Sequence, residues 1–132
     1  MLKNREKAEI EGQNTMIVNS FQIDESLQLT PFSAEKAPEA CRSTDARIWL
    51  DLQAFKPNEL DDWLDKLAVT ALSKQLCLEA RDRAGFYPLK NEILLVIPFL
   101  CANTEGKREV DYLALLCREN LLVTVHRASI WC

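Results

Sequence analysis

The apolar residues are concentrated in the second half of the chain, where three hydrophobic segments follow one another between short polar breaks. These segments span residues 93–101, 110–117 and 121–125. Runs of this length, rich in Ile, Leu and Val and bounded by turn residues, favour strands buried on both faces over exposed helices. The polar breaks at 103–107 and 118–120 have the length and composition of hairpin turns. We therefore predict that the three segments form the middle of a sheet.

Alternating apolar and polar positions predict two further strands in the first half of the chain. The first covers residues 16–23, and a proline-containing linker then runs to about residue 46. The second covers 47–52 and places Ile48, Leu50 and Leu52 on the face opposite to Trp49 and Asp51. Five side chains from strands and helices are predicted to lie in the core: Trp49, Leu64, Leu94, Val96 and Val123.

Helical spacing appears between the second strand and the long apolar segments. Pro57 suits the first position of a helix, and the acidic residues that follow complement the positive end of the helix dipole. This helix is predicted to end near Ala68 after an apolar stripe at Leu60, Trp63, Leu64 and Leu67. A second helix is predicted from Ala71 to about Asp82, with Gly85 after it. Its expected core-facing residues are Leu72, Leu76, Cys77 and Ala80.

Composition places the chain among single-domain cytosolic proteins. Of its 132 residues, 48% are hydrophobic, which is enough to bury a core without disulfides or metals. We predict a tail over 1–15 and one domain over 16–132. The net charge of −4 and the scattered basic residues argue against a nucleic-acid partner. No apolar run reaches the roughly 20 residues of a membrane span, and the amino end does not resemble a signal peptide.

The five cysteines do not form a metal-binding or disulfide pattern. They are scattered, no C-x-x-C pair occurs, and His126 is the one histidine in the sequence. We interpret them as reduced thiols of a cytosolic protein, in preference to zinc ligands or a disulfide framework.

Catalytic chemistry has little support in the sequence. His126 shares a strand face with Thr124, and Cys117 could act as a nucleophile, but neither has the context of a nucleophile elbow. Glycine-rich phosphate loops are also missing from the sequence. We predict that the protein is not an enzyme, and that Asp51 accepts hydrogen bonds from the loop before Pro57 rather than binding a ligand.

A run of three carboxylates at Asp61, Asp62 and Asp65 is the one candidate for a cation patch. Lys66 lies four residues after Asp62, a spacing that pairs opposite charges on a helix surface. We therefore interpret the run as a solvated helix face. No catalytic, cofactor-binding or metal-binding residue is assigned in this chain.

Three pieces of sequence, taken together and in order, resemble the amino-terminal cytoplasmic domain of the CorA-type divalent-cation transporters. Residues 47–52 read RIWLDL and precede the Pro57 helix, like the family's Trp-hydrophobic-Asp-Leu strand and acidic helix. Residues 66–96 resemble the family's helix pair and its entry into a long strand. Residues 121–127, LLVTVHR, are similar to the closing strand.

The resemblance implies an α+β fold in which a central mixed sheet is layered with helices. It also implies a stalk helix, two membrane spans and a homopentamer, with this domain on the cytoplasmic side of the cell membrane. The stalk, the spans and the Gly-Met-Asn pore signature are not among the 132 residues, so this chain is expected not to conduct ions by itself. The expected partners are the stalk and membrane helices. No cofactor is expected in this fragment, and Mg²⁺ or another divalent cation is the expected transported ion.

Departures from the family pattern leave the transported ion open. The family's regulatory Glu-Asp pair aligns with Gln75 and Leu76, and its helix-initial His aligns with Thr70. In the family's Gln-Arg-Pro-Lys turn, only Arg83 is kept, since Ala84 and Gly85 replace the Pro and Lys. This regulatory site is therefore expected to be lost. Membership of the zinc-transporting branch and a stand-alone cytosolic interaction module with the same fold are the alternatives.

Overall fold

A single mixed sheet of seven strands organises the part of the chain that the computed structural model describes, residues 16–43, 46–53, 56–79, 84–102 and 105–127. The strands are β1 (Ile17–Ile23), β2 (Leu29–Pro31), β3 (Ile48–Gln53), β4 (Gly85–Pro88), β5 (Ile93–Ala102), β6 (Arg108–Arg118) and β7 (Leu121–His126). The helices are α1 (Ala37–Ala40), which follows a 3-10 turn, α2 (Pro57–Lys66) and α3 (Ala71–Leu78). The predicted tail over 1–15 lies outside the described residues.

The sheet consists of two antiparallel units that meet at one parallel strand pair. Its order is β2-β1-β3-β7-β6-β5-β4, so β7 is the central strand. Strands β4 to β7 form an antiparallel meander, β1 to β3 form a second antiparallel unit, and β3 pairs with β7 in parallel. This arrangement confirms the predicted mixed sheet with helices.

The described helices contribute to a core on one face of the sheet, which we call the helical face. Leu60 and Leu64 on α2 are fully buried, as is Cys77 on α3. They belong to the same cluster as alternate residues of the central strands, including Leu50 and Val123. The helix α2 begins at Pro57 as predicted, and the predicted core positions Leu64, Leu94, Val96 and Val123 are buried.

Hairpin turns join the last three strands as the polar breaks predicted. Glu119 and Asn120 form a two-residue turn between β6 and β7, where Arg118 pairs with Leu121. In the turn between β5 and β6, Gly106 has a φ of 78°, a conformation that glycine adopts without steric cost. Antiparallel pairing of β5 with β6 confirms the first predicted hairpin, of which residues 103 and 104 lie outside the described residues.

Several local predictions were wrong because burial depends on what covers each face. Strand β5 is not buried on both faces, since Ile93 and Ile97 are more than 40% exposed. Leu72 on α3 is also exposed, whereas Trp49 is half-buried. The predicted linker contains β2 and α1, strand β4 was not predicted, and α3 ends at Leu78 instead of near Asp82. Ala80 and Asp82 lie outside the described residues.

Candidate functional site

Four polar side chains form a hydrogen-bonded group on the sheet face opposite the helices. We call it the Asp51 cluster: Trp49 and Asp51 from β3, and Thr124 and His126 from β7. The Thr124 hydroxyl donates to Asp51 Oδ1 at 2.6 Å, and the same oxygen lies 2.8 Å from His126 Nε2. Trp49 Nε1 donates to Thr124 Oγ1 at 2.9 Å. Asp51, Thr124 and His126 are each at most 5% exposed.

Strand pairing explains why this cluster forms. The parallel register sets Asp51 directly opposite Thr124, and side chains at alternate positions of paired strands share a face. Asp51 Oδ1 accepts from both the Thr124 hydroxyl and the His126 ring. Each of these buried donors would destabilise the fold if it had no acceptor. The prediction for Asp51 named the loop before Pro57 and neither partner on β7, because only the sheet topology brings these distant residues together.

The Asp51 cluster does not have the geometry of a catalytic dyad or triad. The Thr124 hydroxyl donates to Asp51 Oδ1, and His126 Nε2 lies against the same oxygen, so the hydroxyl and the imidazole meet at one carboxylate and do not form the hydroxyl–imidazole hydrogen bond of a Ser-His dyad. The other proposed nucleophile, Cys117, is half-buried, and its burial raises the pKa of its thiol. A raised thiol pKa opposes formation of the reactive thiolate. These interactions indicate a structural role for the cluster.

A second polar group joins the α2–α3 turn to the meander. Arg118 on β6 donates to the carbonyl oxygens of Leu67 and Ala68, each at 2.6 Å, and its Nε lies 3.3 Å from Glu92 Oε2. The other Glu92 oxygen accepts from the Thr70 backbone N–H at 3.2 Å. Because Arg118 donates to the two carbonyls directly after α2 and Glu92 accepts from the N–H directly before α3, the pair fixes this turn.

The carboxylates that were weighed as a cation patch are paired with a lysine of the next helix. Lys74 on α3 places its Nζ 2.8 Å from an oxygen of Asp65 and 3.1 Å from one of Asp61. Hydrogen bonds to Asp65 and Asp61 raise the pKa of Lys74, so the ammonium group stays charged. Asp62 is exposed. This arrangement agrees with the interpretation of the carboxylates as a solvated helix face.

The positions that the resemblance assigns to a regulatory metal are on α3 and are poor metal ligands. The Gln75 side-chain amide donates to Glu79 Oε1 at 3.3 Å, and Leu76 packs against the core. Thr70, at the position of the family's histidine, is the N-cap of α3, and its hydroxyl accepts from the Ser73 N–H. An amide and an alkyl chain do not supply the carboxylate oxygens of a Mg²⁺ site.

Two negative findings concern the described ranges only. Between residues 16 and 127, leaving out the undescribed gaps, no group of three or more His, Cys, Asp and Glu side chains is close enough to hold a metal ion. Over the same part of the chain, no helix is long and apolar enough to cross a membrane.

Comparison with known proteins identifies the family through the segment that forms β3 to β7. The profile of the family described as "CorA-like Mg2+ transporter protein" matches residues 45–131. A search of curated proteins by sequence finds no match.

Solved structures with the same fold include proteins from Vibrio parahaemolyticus RIMD 2210633 and Methanocaldococcus jannaschii. The cytoplasmic domain of ZntB from Vibrio parahaemolyticus RIMD 2210633 has a TM-score of 0.66 at 16% identity, with 86% of this chain and 45% of that chain covered. The complete CorA magnesium transporter from Methanocaldococcus jannaschii has a TM-score of 0.62 at 17% identity, with 89% of this chain and 34% of that chain covered. The soluble domain of CorA from the same organism has a TM-score of 0.57 at 18% identity, with 87% of this chain and 42% of that chain covered.

These likenesses are confined to part of each relative. The chain spans between about a third and less than half of the length of the structures it matches. At identities below one in five, the structures show a shared fold, whereas the family assignment comes from the profile match over about two thirds of the chain. The chain belongs to the family of CorA-like Mg²⁺ transporter proteins.

Proposed function

We propose that residues 16–132 are a single cytoplasmic domain of a CorA-like divalent-cation transporter, placed as a cap on the pore. The observation that carries this proposal is the family match over residues 45–131, which covers strands β3 to β7. The domain lies on the cytoplasmic side of the cell membrane, and the complete transporter assembles as a homopentamer. The cap is a structural and regulatory part of the transporter and performs no chemical catalysis.

The transported ion of the complete protein is proposed to be Mg²⁺. The matching family is one of Mg²⁺ transporter proteins, and the similar protein from Methanocaldococcus jannaschii is a magnesium transporter, so both support this assignment. The chain itself supplies no regulatory carboxylate pair, because Gln75 and Leu76 stand at those positions. We therefore propose that any regulation by this cap works through contacts between domains and not through that metal site.

The decisive experiment follows the reading frame beyond Cys132 and then measures transport. Two apolar segments of about 20 residues each are expected downstream, each long enough to span the hydrocarbon core. The protein encoded by that frame, reconstituted in vesicles, should admit Mg²⁺ faster than empty vesicles do. A stop codon directly after Cys132, with the protein in the soluble fraction, would contradict the proposal.

A stand-alone interaction module is the second candidate, and the replaced carboxylate pair favours it. A domain that is no longer part of a transporter does not need a regulatory metal site, and the replacement of the carboxylate pair by Gln75 and Leu76 agrees with the loss of that site. The zinc-transporting branch is tested in the same vesicles, since faster entry of Zn²⁺ than of Mg²⁺ would assign the ion to zinc.

A further inference from the structure

A cavity of about 450 Å³ opens at the end of the sheet where β6 turns into β7. Its walls come from four places in the chain: the segment after α1, the α2–α3 turn, the β4–β5 turn and the β6–β7 turn. We call it the arginine cavity, after four polar side chains that line it: Arg42, Asn91, Arg118 and Asn120. A volume of this size lies within the range of small-molecule sites in proteins.

Arg118 lines the arginine cavity with its guanidinium already fixed in position. Its two terminal nitrogens each donate to one backbone carbonyl, and its Nε lies 3.3 Å from Glu92 Oε2. A guanidinium has more N–H groups than these contacts use, so donors remain for a further acceptor. The side chain is 23% exposed, and it is therefore partly shielded from water but still accessible. Because the group is held in place before any ligand arrives, it loses little conformational freedom on binding.

The turn that holds Arg118 contains a strained residue. Ala68 lines the cavity and has a φ of 53°, in the left-handed region that residues other than glycine rarely adopt. In this conformation the carbonyl oxygens of Leu67 and Ala68 both accept from the guanidinium. Backbone strain of this kind is concentrated at ligand sites and switch regions.

Three further side chains bring hydrogen-bond donors to the same cavity. Asn120 Nδ2 donates to the Ser43 carbonyl at 3.0 Å, which ties the β6–β7 turn to the segment that carries Arg42. Arg42 is exposed, and no carboxylate in the described part of the chain forms an ion pair with it. The amide of Asn91, which is also exposed, completes the set. Two guanidinium groups and two amides therefore line one cavity.

We infer that the arginine cavity binds a small oxyanion that carries a carboxylate or phosphate group. Guanidinium groups match both kinds of oxyanion in charge and geometry, and amides supply further donors. Glu119 is the carboxylate among the lining residues, and Glu92 offsets part of the Arg118 charge. Arg42 then supplies the remaining attraction. This inference goes beyond the proposed function and does not depend on it.

The test is a titration of the 132-residue chain with sodium phosphate and, separately, with sodium citrate, at an ionic strength held constant with NaCl. Binding is followed by the NMR signals of the Asn91 and Asn120 side-chain amides and of the Arg118 Nε–H. We expect saturable shifts with at least one of the two anions. Binding of phosphate alone would assign a phosphate ligand, and binding of citrate alone would assign a carboxylate ligand.

Two matched substitutions locate the site. Arg42→Gln removes an exposed charge from the cavity and should weaken binding at least about fivefold. Arg108→Gln makes the same change at the other end of β6 and should leave the affinity within about twofold. Because both residues are exposed, both variants should melt within a few degrees of the parent chain.

Four results would overturn the inference. Shifts that NaCl alone reproduces would indicate screening of charge and no binding. Equal affinity of the parent and Arg42→Gln would remove the cavity as the site. Equal weakening by both substitutions would indicate a diffuse attraction, which the net charge of −4 does not favour for an anion. Absence of saturable shifts with both anions would also exclude an oxyanion site.

Discussion

Asp51 on β3 accepts a 2.6 Å hydrogen bond from the Thr124 hydroxyl on β7, although the two residues are 73 positions apart in sequence. The two residues are direct partners in the parallel pair that joins the two antiparallel units of the sheet. The hydrogen bond therefore adds a side-chain connection at the place where the units have no turn to hold them together. Trp49 and His126 extend this connection on both sides of the pair.

Replacing Asp51 with Ala should destabilise the domain strongly. The substitution leaves the Thr124 hydroxyl and the His126 ring N–H without their acceptor, and each stranded buried donor costs about 1 to 3 kcal/mol. We expect the free energy of unfolding to fall by at least about 2 kcal/mol, measured by urea denaturation. The exposed Asp62 provides the control, and Asp62→Ala should change stability by no more than about 0.5 kcal/mol. Equal midpoints for the two variants would contradict a structural role for the cluster.

Two substitutions at Trp49 separate its packing from its hydrogen bond. The indole ring lies 5.3 Å from the Phe21 ring and is half-buried, so Trp49→Ala should cost about 3 kcal/mol, at the lower end for a large aromatic residue. Trp49→Phe keeps a ring but loses the donor to Thr124, and should cost about 1 kcal/mol. Chemical denaturation ranks the two, and a midpoint for Trp49→Ala equal to that of the parent would rule out this packing.

Arg118 and Glu92 should behave as a coupled pair. Arg118→Met leaves the carbonyls of Leu67 and Ala68 without this donor and the buried Glu92 carboxylate without its cation, so we expect a loss of about 3 kcal/mol. The double variant Arg118→Met with Glu92→Gln should be less destabilised than the sum of the single variants, because the uncompensated charge is removed. Additive losses in the double-mutant cycle would show that the two side chains act independently.

Cys77 should make the domain less stable in alkali. Burial, with a smaller contribution from the nearby Glu92 charge, raises the pKa of Cys77 from 9.0 to about 12. The thiol therefore loses its proton at lower pH in the unfolded chain than in the folded domain. The contribution of the Cys77 thiol to the free energy of unfolding is complete below pH 9 and is lost as the pH rises from 9 through 12. Between about pH 8 and pH 10, the parent should lose about 1 kcal/mol more unfolding free energy than Cys77→Ala. Parallel pH profiles for the two proteins would contradict this assignment.

Magnesium should not bind specifically to this domain. A site filled at about 100 times its dissociation constant would add roughly 2.7 kcal/mol, equivalent to an upward shift in Tm of roughly 5 to 15 °C. We expect no such shift in MgCl₂ compared with NaCl of matched ionic strength, which accounts for screening of the net charge. A shift of this size that Glu79→Gln abolishes would show that the regulatory site has moved one turn along α3.

The sequence by itself determined the elements whose burial follows from local pattern. Pro57 and the stripe through Leu60 and Leu64 set the position and inward face of α2, because backbone geometry and helical spacing are local properties. Hairpin turns at 103–107 and 118–120 were also predictable, since turn residues interrupt long apolar runs. The motifs in 47–52 and 121–127 indicate the family by themselves, without any information on their contact.

Only the tertiary structure decided which of these elements meet and which faces stay open. The parallel pairing of β3 with β7 brings Asp51 to Thr124, a contact that no local pattern encodes because a long connection separates the strands. The same holds for Ile93 and Ile97, whose apolar character predicted burial on both faces of β5. In the described part of the chain, the core helices lie on the opposite face, so these side chains remain exposed despite their hydrophobicity. Sequence records the tendency to be buried, whereas burial itself requires a partner surface.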